Sequence, residues 1–247
     1  MNDLVDRFQR ARSDQSLAVL EGFHPVKHAI RFGAEMMVIA VGDADTVDEL
    51  STALAPDVVD FLNAESTVVS GDVFNRLVPT PPATSIVAIA RRSEATPAEV
   101  LAQSGRVVLL ERPSRLGNLG AAVRVAAAAE AAGVIAVGPH DPWHPEALRG
   151  GAGLQFALPV ARVDVPPDTD RPIVALDPNG QPLRAATIPD DAMLAFGSER
   201  SGLSDQVLER ADQRVAIPMR DGVSSLNLAT SVAVVLYILA LRPTADR

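Results

Sequence analysis

Apolar and polar positions along the chain repeat with two periods, and the alternation between them predicts most of the elements. Residues 4–12 mix Phe8 with Arg7, Arg10 and Arg12 and read as a short helix. Apolar residues at 17, 20, 23, 26 and 30 keep a helical period and predict one helix over 17–32. Strands at 36–41, 67–70 and 85–90 then alternate with helices at 46–54 and 72–77, the signature of an α/β layer. Residues 91–104 are polar, with one short helix, and form the best linker. Beyond them the β-forming run 106–111 predicts a buried parallel strand. An alanine-rich helix follows Gly117-Asn118-Leu119-Gly120, and strands are expected at 134–137, 154–159, 172–176 and 193–196. Residues 164–171 are rich in proline and acid and show no helical pattern, and Asp177-Pro178-Asn179-Gly180 reads as a turn. Val215 and Ile217 form a last strand that Pro218 ends. Asp221-Gly222 then turns the chain into a helix reaching about Leu241, with Ser224 or Ser225 as its cap. That helix is apolar almost all round, so it is buried or packs on a partner chain.

Composition narrows the classes. At 247 residues and 47% hydrophobic content the chain can bury one large core or two small ones. With no cysteine it has no disulfide, thiolate metal site or cysteine nucleophile. The N-terminus has no apolar signal core, and no uncharged apolar run reaches the length of a membrane span. A soluble cytoplasmic protein is expected. The net charge of −9 argues against a nucleic-acid partner except through a local patch. The imbalance is uneven: residues 1–104 carry 8 basic and 15 acidic groups, or −7, and residues 105–247 carry 14 and 16, or −2. Every basic residue but Lys27 is arginine, whose planar fork suits phosphate.

Several residues invite chemistry, each with a plainer alternative. Ser225 and Asn227 are polar side chains expected at the buried start of an apolar helix, as caps or as holders of a ligand. Arg124 stands among alanines and valines, reaching for water or serving a site. Lys27 and Arg31 on the first long helix, Arg91-Arg92 in the linker, and the arginines at 7, 10 and 12 could face phosphate or merely solvate their segments. His24 and His28, and the His140-Asp141-Pro142-Trp143-His144-Pro145 loop, have metal-like spacings, but neither has a full donor set, and no metal is expected.

Three stretches in order change this picture: Asn118-x-Gly120-x-x-x-Arg124; Phe196-Gly197-Ser198-Glu199-x-x-Gly202-Leu203-Ser204; and Ile217-Pro218-Met219 followed by Ser225-Leu226-Asn227. Together they resemble the motifs of the SpoU (TrmH-like) RNA ribose 2′-O-methyltransferases of the SPOUT superfamily, closely over 105–242. The N-terminal part looks like the small α/β substrate-binding domain often fused to them. The resemblance implies an α/β protein: an RNA substrate-binding domain over 1–98, then a SPOUT domain over 105–247 with a parallel sheet, a trefoil knot and homodimerisation. It implies methyl transfer from S-adenosylmethionine to a ribose 2′-hydroxyl of tRNA or rRNA, without metal. Donor binding then falls to Phe196, Gly197, Ile217, Met219, Ser225 and Leu226. Arg124 carries the catalysis with Asn118, Glu199, Ser225 and Asn227, and Glu199 anchors Asn118 or Arg124. The competing readings are a catalytically silent RNA-binding module of this fold and a nucleotide-binding Rossmann enzyme; Gly117-x-x-Gly120 does not match the Gly-x-Gly-x-x-Gly fingerprint of the latter.

Overall fold

A computed structural model describes residues 2–184 and 187–241, so the last six positions of the expected 105–247 domain lie outside the described residues. The chain forms two compact units, Met1–Ser93 with Trp143–Ala157, and Glu94–Pro142 with Leu158–Arg247. The sequence places the division within 98–105. The units part at residue 93 instead, and an excursion from the second half of the chain, 143–157, packs with the first.

In the first unit, helix α1 (Asn2–Ala11) precedes strand β1 (Leu17–Glu21) and helix α2 (Phe23–Arg31). The single helix expected over 17–32 is therefore a strand and a helix. Gly22 has φ +104°, outside the helical region, and its N–H donates to the Ile86 carbonyl at 3.0 Å. Apolar spacing alone could not reveal that break. Strand β2 (Met36–Val41), helix α3 (Ala44–Leu54), helix α4 (Val59–Glu65), strand β3 (Ser66–Val68), helix α5 (Gly71–Leu77) and strand β4 (Ile86–Arg91) follow. The sheet order is β1-β4-β2-β3, with β4 antiparallel to both neighbours. Helix α4 has no counterpart among the expected elements.

The 143–157 excursion supplies Trp143, Leu148 and Phe156 to this unit's core, and Trp143 meets Phe156 edge-on at 5.0 Å. His144 caps the short helix α8 (Pro145–Gly150) through Nδ1, which accepts from the Glu146 amide at 3.2 Å. The strand expected at 154–159 is instead a 3-10 turn, Leu154–Phe156, whose Gln155 and Phe156 are buried. Gly153 is left-handed there, and a Cβ on it would lie 2.6 Å from the Pro25 carbonyl oxygen. The cations weighed for phosphate binding in this unit are engaged. Arg12 pairs with buried Glu21, Arg31 with Asp57 at 2.7 Å and Arg91 with Glu35 at 2.8 Å. Arg92 donates to the Leu17 carbonyl, and Lys27 is buried 6.0 Å above the Phe23 ring.

In the second unit, helix α6 (Pro97–Leu101) leads to strand β5 (Val107–Glu111), helix α7 (Leu116–Ala128) and strand β6 (Gly133–Val137). Strands β7 (Val160–Val163), β8 (Ile173–Pro182) and β9 (Met193–Phe196), helix α9 (Asp205–Arg210), strand β10 (Gln213–Ala216) and helix α10 (Leu228–Ala240) complete it. The six strands are all parallel, in the order β10-β8-β9-β5-β6-β7. Every residue of β5 and β6 is buried, as a sheet covered on both faces requires. On one face Leu119, Val123 and Ala126 of α7 share a core with Val232, Val235 and Leu239 of α10. Each such fully buried Leu or Val contributes roughly 1.5–3 kcal/mol.

No helix joins β7 to β8, as the composition of 164–171 suggested. Arg171 fastens that segment instead, donating to the carbonyls of Leu101, Gly105 and Asp191. The turn expected at 177–180 lies inside β8. Its signal corresponds to a bulge: Arg214 pairs with Ala175, but the next β10 residue, Val215, pairs with Gln181. Among the described residues no helix is long and apolar enough to cross a membrane.

Candidate functional site

The parallel register brings the carboxyl ends of three strands level: Leu110 pairs with Phe196, and Phe196 with Leu176. Ligands of open parallel sheets gather outside such ends. Here a cleft of about 690 Å³ opens beside Phe196. All six residues expected to hold a cofactor, Phe196, Gly197, Ile217, Met219, Ser225 and Leu226, line it, and so does Glu199.

Gly197 is required by close backbone approach. A Cβ there would overlap the Gly202 carbonyl and the Leu203 amide. The approach exists because 198–202 folds back as a small hairpin, with Ser198 and Gly202 exchanging backbone hydrogen bonds of 3.1 and 3.0 Å and Gly202 at φ +68°. The hairpin carries Glu199 at its tip. One Glu199 oxygen accepts from the Ser114 amide at 2.8 Å and the other from the Asn118 side-chain amide. Asn118 in turn accepts from Asn227 Nδ2 at 3.2 Å. Asn227 Oδ1 accepts from the Ala229 and Thr230 amides and so caps α10. One chain of hydrogen bonds thus joins the three sequence motifs. Burial tends to raise the Glu199 carboxyl, but the bonds from Asn118 and Ser114 outweigh it and hold it below the ordinary range. It is an anion at neutral pH, with both oxygens already accepting.

Two expectations about the last loop change. The cap of α10 is Asn227, not Ser224 or Ser225. Gly222 at φ +84° turns the chain, which stays non-helical through Leu226. Ser225 and Asn227 are also exposed rather than buried, so Ser225 faces the cleft free of any packing demand. Arg124 is exposed on α7, six residues past Asn118, and its side chain makes no hydrogen bond or ion pair to another described residue. The structure does not draw its guanidinium into the Asn118–Glu199 network.

Sequence reasoning missed a second anchor. Buried Glu111, at the end of β5, accepts from both the amide and the hydroxyl of Ser204, at 2.8 and 2.7 Å. Ser204 also caps α9, so Glu111 fixes the far side of the hairpin. Its signal was a lone acid closing an otherwise apolar buried strand. Asp177 and Asp205 on the cleft wall were missed too. Among the described residues no group of three or more His, Asp or Glu is placed to hold a metal ion.

Comparison with known proteins gives the site a context. A 23S rRNA (guanosine(2553)-2′-O)-methyltransferase, RlmP, of Bacillus subtilis is 27% identical over 94% of this chain and 91% of its own length. A 23S rRNA (adenosine(1067)-2′-O)-methyltransferase of Streptomyces azureus is 25% identical over 95% and 90%. In fold, the chain resembles the SpoU methyltransferase AviRb from Streptomyces viridochromogenes, solved in complex with AdoMet. That match has a TM-score of 0.77 at 23% identity and covers 98% of this chain and 99% of the other. The profile of the SpoU rRNA methylase family matches residues 105–237, more than half of the chain and all of the motifs described above. The chain belongs to the SpoU rRNA methylase family.

Proposed function

We propose that the protein transfers a methyl group from S-adenosylmethionine to a ribose 2′-hydroxyl of RNA, and that its substrate is ribosomal, as the names of its full-length relatives have it. The observation that carries this reading is the Glu199–Asn118–Asn227 network standing beside the Phe196–Gly197 cleft. The cleft suits the donor. Its volume of about 690 Å³ falls within the usual range of small-molecule sites, roughly 300–1,000 Å³. Phe196, Ile217, Met219 and Leu226 offer apolar surface to an adenine, and Glu199, Asp177 and Asp205 offer negative charge to a sulfonium and an ammonium. Bound there, S-adenosylmethionine supplies a methyl group already electrophilic on sulfur.

The chain's own residues then have to position the ribose and ease loss of its proton. Glu199 is a poor base because both oxygens are occupied and its carboxyl is held low; it fixes Asn118 and the hairpin. Arg124 is a poor base because a guanidinium stays protonated. Its exposed fork orients the target nucleotide's phosphate and lowers the hydroxyl's pKa. Ser225 and Asn227 fix the ribose and the loop. As the oxygen–carbon bond forms and the sulfur–carbon bond breaks, the hydroxyl proton passes to water. The joined network also favours catalysis over a silent RNA-binding module, which needs no such arrangement. Incubation with methyl-labelled donor and ribosomal RNA from a strain lacking the gene should label 2′-hydroxyls, in the presence of EDTA as in its absence. Loss of labelling with EDTA, or label on a base, would contradict the proposal.

The same reading includes a homodimer, a knotted C-terminal domain and a cytoplasmic location, with the N-terminal unit as the substrate-binding domain. The strand order, with β9 between β5 and β8, and the packing of α10 on α7 support the knot. The dimer is supported by Tyr237, Ile238 and Leu241, which are 44%, 42% and 79% exposed and lie on one side of α10. A helix face of that kind needs a partner. Sedimentation at micromolar protein should give twice the chain mass; a monomer would remove the dimer.

A further inference from the structure

We infer that Arg112, Arg115 and Arg200 form the phosphate-binding rim through which this acidic chain holds its RNA strand beside the cleft. The inference rests on the methyltransferase reading and adds where the polyanion is gripped. A net charge of −9 makes binding by the surface as a whole unfavourable, so the cations must be local and unneutralised. The structure separates the arginines in this respect. In the N-terminal unit Arg10, Arg12, Arg31, Arg91 and Arg149 are paired with carboxylates. In the C-terminal unit Arg106, Arg162 and Arg210 are paired likewise, and Arg171 and Arg214 are spent on carbonyls. Arg112, Arg115 and Arg200 are exposed, and their side chains make no hydrogen bond or ion pair to another described residue.

These three side chains issue from one place. The Ser114 amide donates to Glu199, so Arg115 and Arg200 flank a single 2.8 Å hydrogen bond, and Arg112 is two residues before it. Glu199 cannot neutralise them by direct pairing, because its oxygens are taken by Ser114 and Asn118. Arg112 is held in the left-handed region at φ +49°, a conformation a non-glycine residue adopts at some cost. Arg115 is the N-cap residue of α7, without a capping side-chain bond and with no acid in the helix's first turn. An arginine at the positive end of a helix dipole is unfavourable unless an anion comes to meet both. The rim therefore stands, with its charge uncovered, next to the residues assigned to the ribose, within an arginine's reach of the phosphates on either side of the target nucleotide. The side chains of Arg76, Arg124, Arg184 and Arg220 likewise make no such bond to another described residue but issue from other segments.

The test measures binding of unmodified ribosomal RNA to the full chain as a function of salt, with donor affinity read separately by calorimetry. Each phosphate contact on a single strand contributes about 0.7 to the slope of log affinity against log salt. The Arg112→Gln/Arg115→Gln/Arg200→Gln protein should therefore lose about 2 from the slope magnitude. Arg200 also lines the cleft, so donor affinity is read on Arg112→Gln/Arg115→Gln, which should lose about 1.4 from the slope and keep donor affinity within about twofold. The corresponding triple lysine protein should keep the slope, and Arg162→Gln/Arg210→Gln, which removes paired arginines, should leave it unchanged. An unchanged slope in a folded triple glutamine protein overturns the inference. If that protein does not fold, a lysine protein with a lost slope, or a paired-arginine control with the same loss, overturns it instead. A parent that binds no RNA also overturns it. A parent that binds RNA with the expected slopes but takes no donor leaves the rim standing and removes the methyltransferase reading.

Discussion

Arg124→Ala is expected to lower turnover by roughly 10²–10⁴-fold, the scale of a positioned charge or proton-transfer group. The side chain is exposed, touches no other described polar group, and stands on a helix of alanine and valine. Alanine is the best helix former, so the fold and melting temperature should persist. Donor affinity should change little, because Arg124 does not line the cleft. Arg124→Lys should recover only part of the rate, since lysine keeps the charge and loses the fork. Single-turnover methylation of ribosomal RNA, beside calorimetry of the donor, checks all of this. Near-parental turnover in the alanine protein would discard the assignment. A loss confined to donor affinity would move Arg124 into the cofactor pocket.

What could be read before folding depended on whether the signal was local. Strands 36–41, 106–111 and 134–137 announced themselves as β-branched and apolar runs, and the motif residues did so through fixed spacing. Long-range facts did not. Nothing local says that 143–157 packs with the first unit, because that depends on Gly153 fitting against Pro25 and on Trp143 finding Phe156. Gly22 hid a strand inside a helical period because position 17–32 alternates and repeats equally well until its φ is known. The cap of α10 was assigned to the nearest serines, although asparagine caps as well as serine and Asn227 lay two residues on. The network itself was half legible. Glu199 stood out as the one acid within the motifs, yet its partner could have been Arg124. Only the fold shows that it is Asn118 and the Ser114 amide, which makes Glu199 an anchor of the loop and leaves the Arg124 side chain outside that network.

Gly197→Ala should damage the donor site more than any change to a side chain that merely lines it. The added methyl group would overlap the Gly202 carbonyl and the Leu203 amide, which are backbone and cannot rotate away. The 198–202 hairpin must then shift as a whole. Its far end is tied by Ser204 to buried Glu111, so the movement is forced toward Glu199 and the cleft. Overpacking of this kind costs about 1–3 kcal/mol. If that cost falls on the bound geometry, the donor's dissociation constant should rise about 10- to 100-fold, at 1.4 kcal/mol per tenfold. Turnover should fall further still, because Glu199 would no longer hold Asn118. Gly202→Ala is the control. A Cβ there meets nothing within 4 Å, and only its φ of +68° is unfavourable, so it should lower the melting temperature modestly and leave donor affinity within a few-fold by the roughly 1 kcal/mol cost of that conformation. Calorimetric titration of the donor into both proteins, with melting curves alongside, separates the two. Parental affinity in a folded Gly197→Ala protein would mean that the hairpin is not part of the donor site.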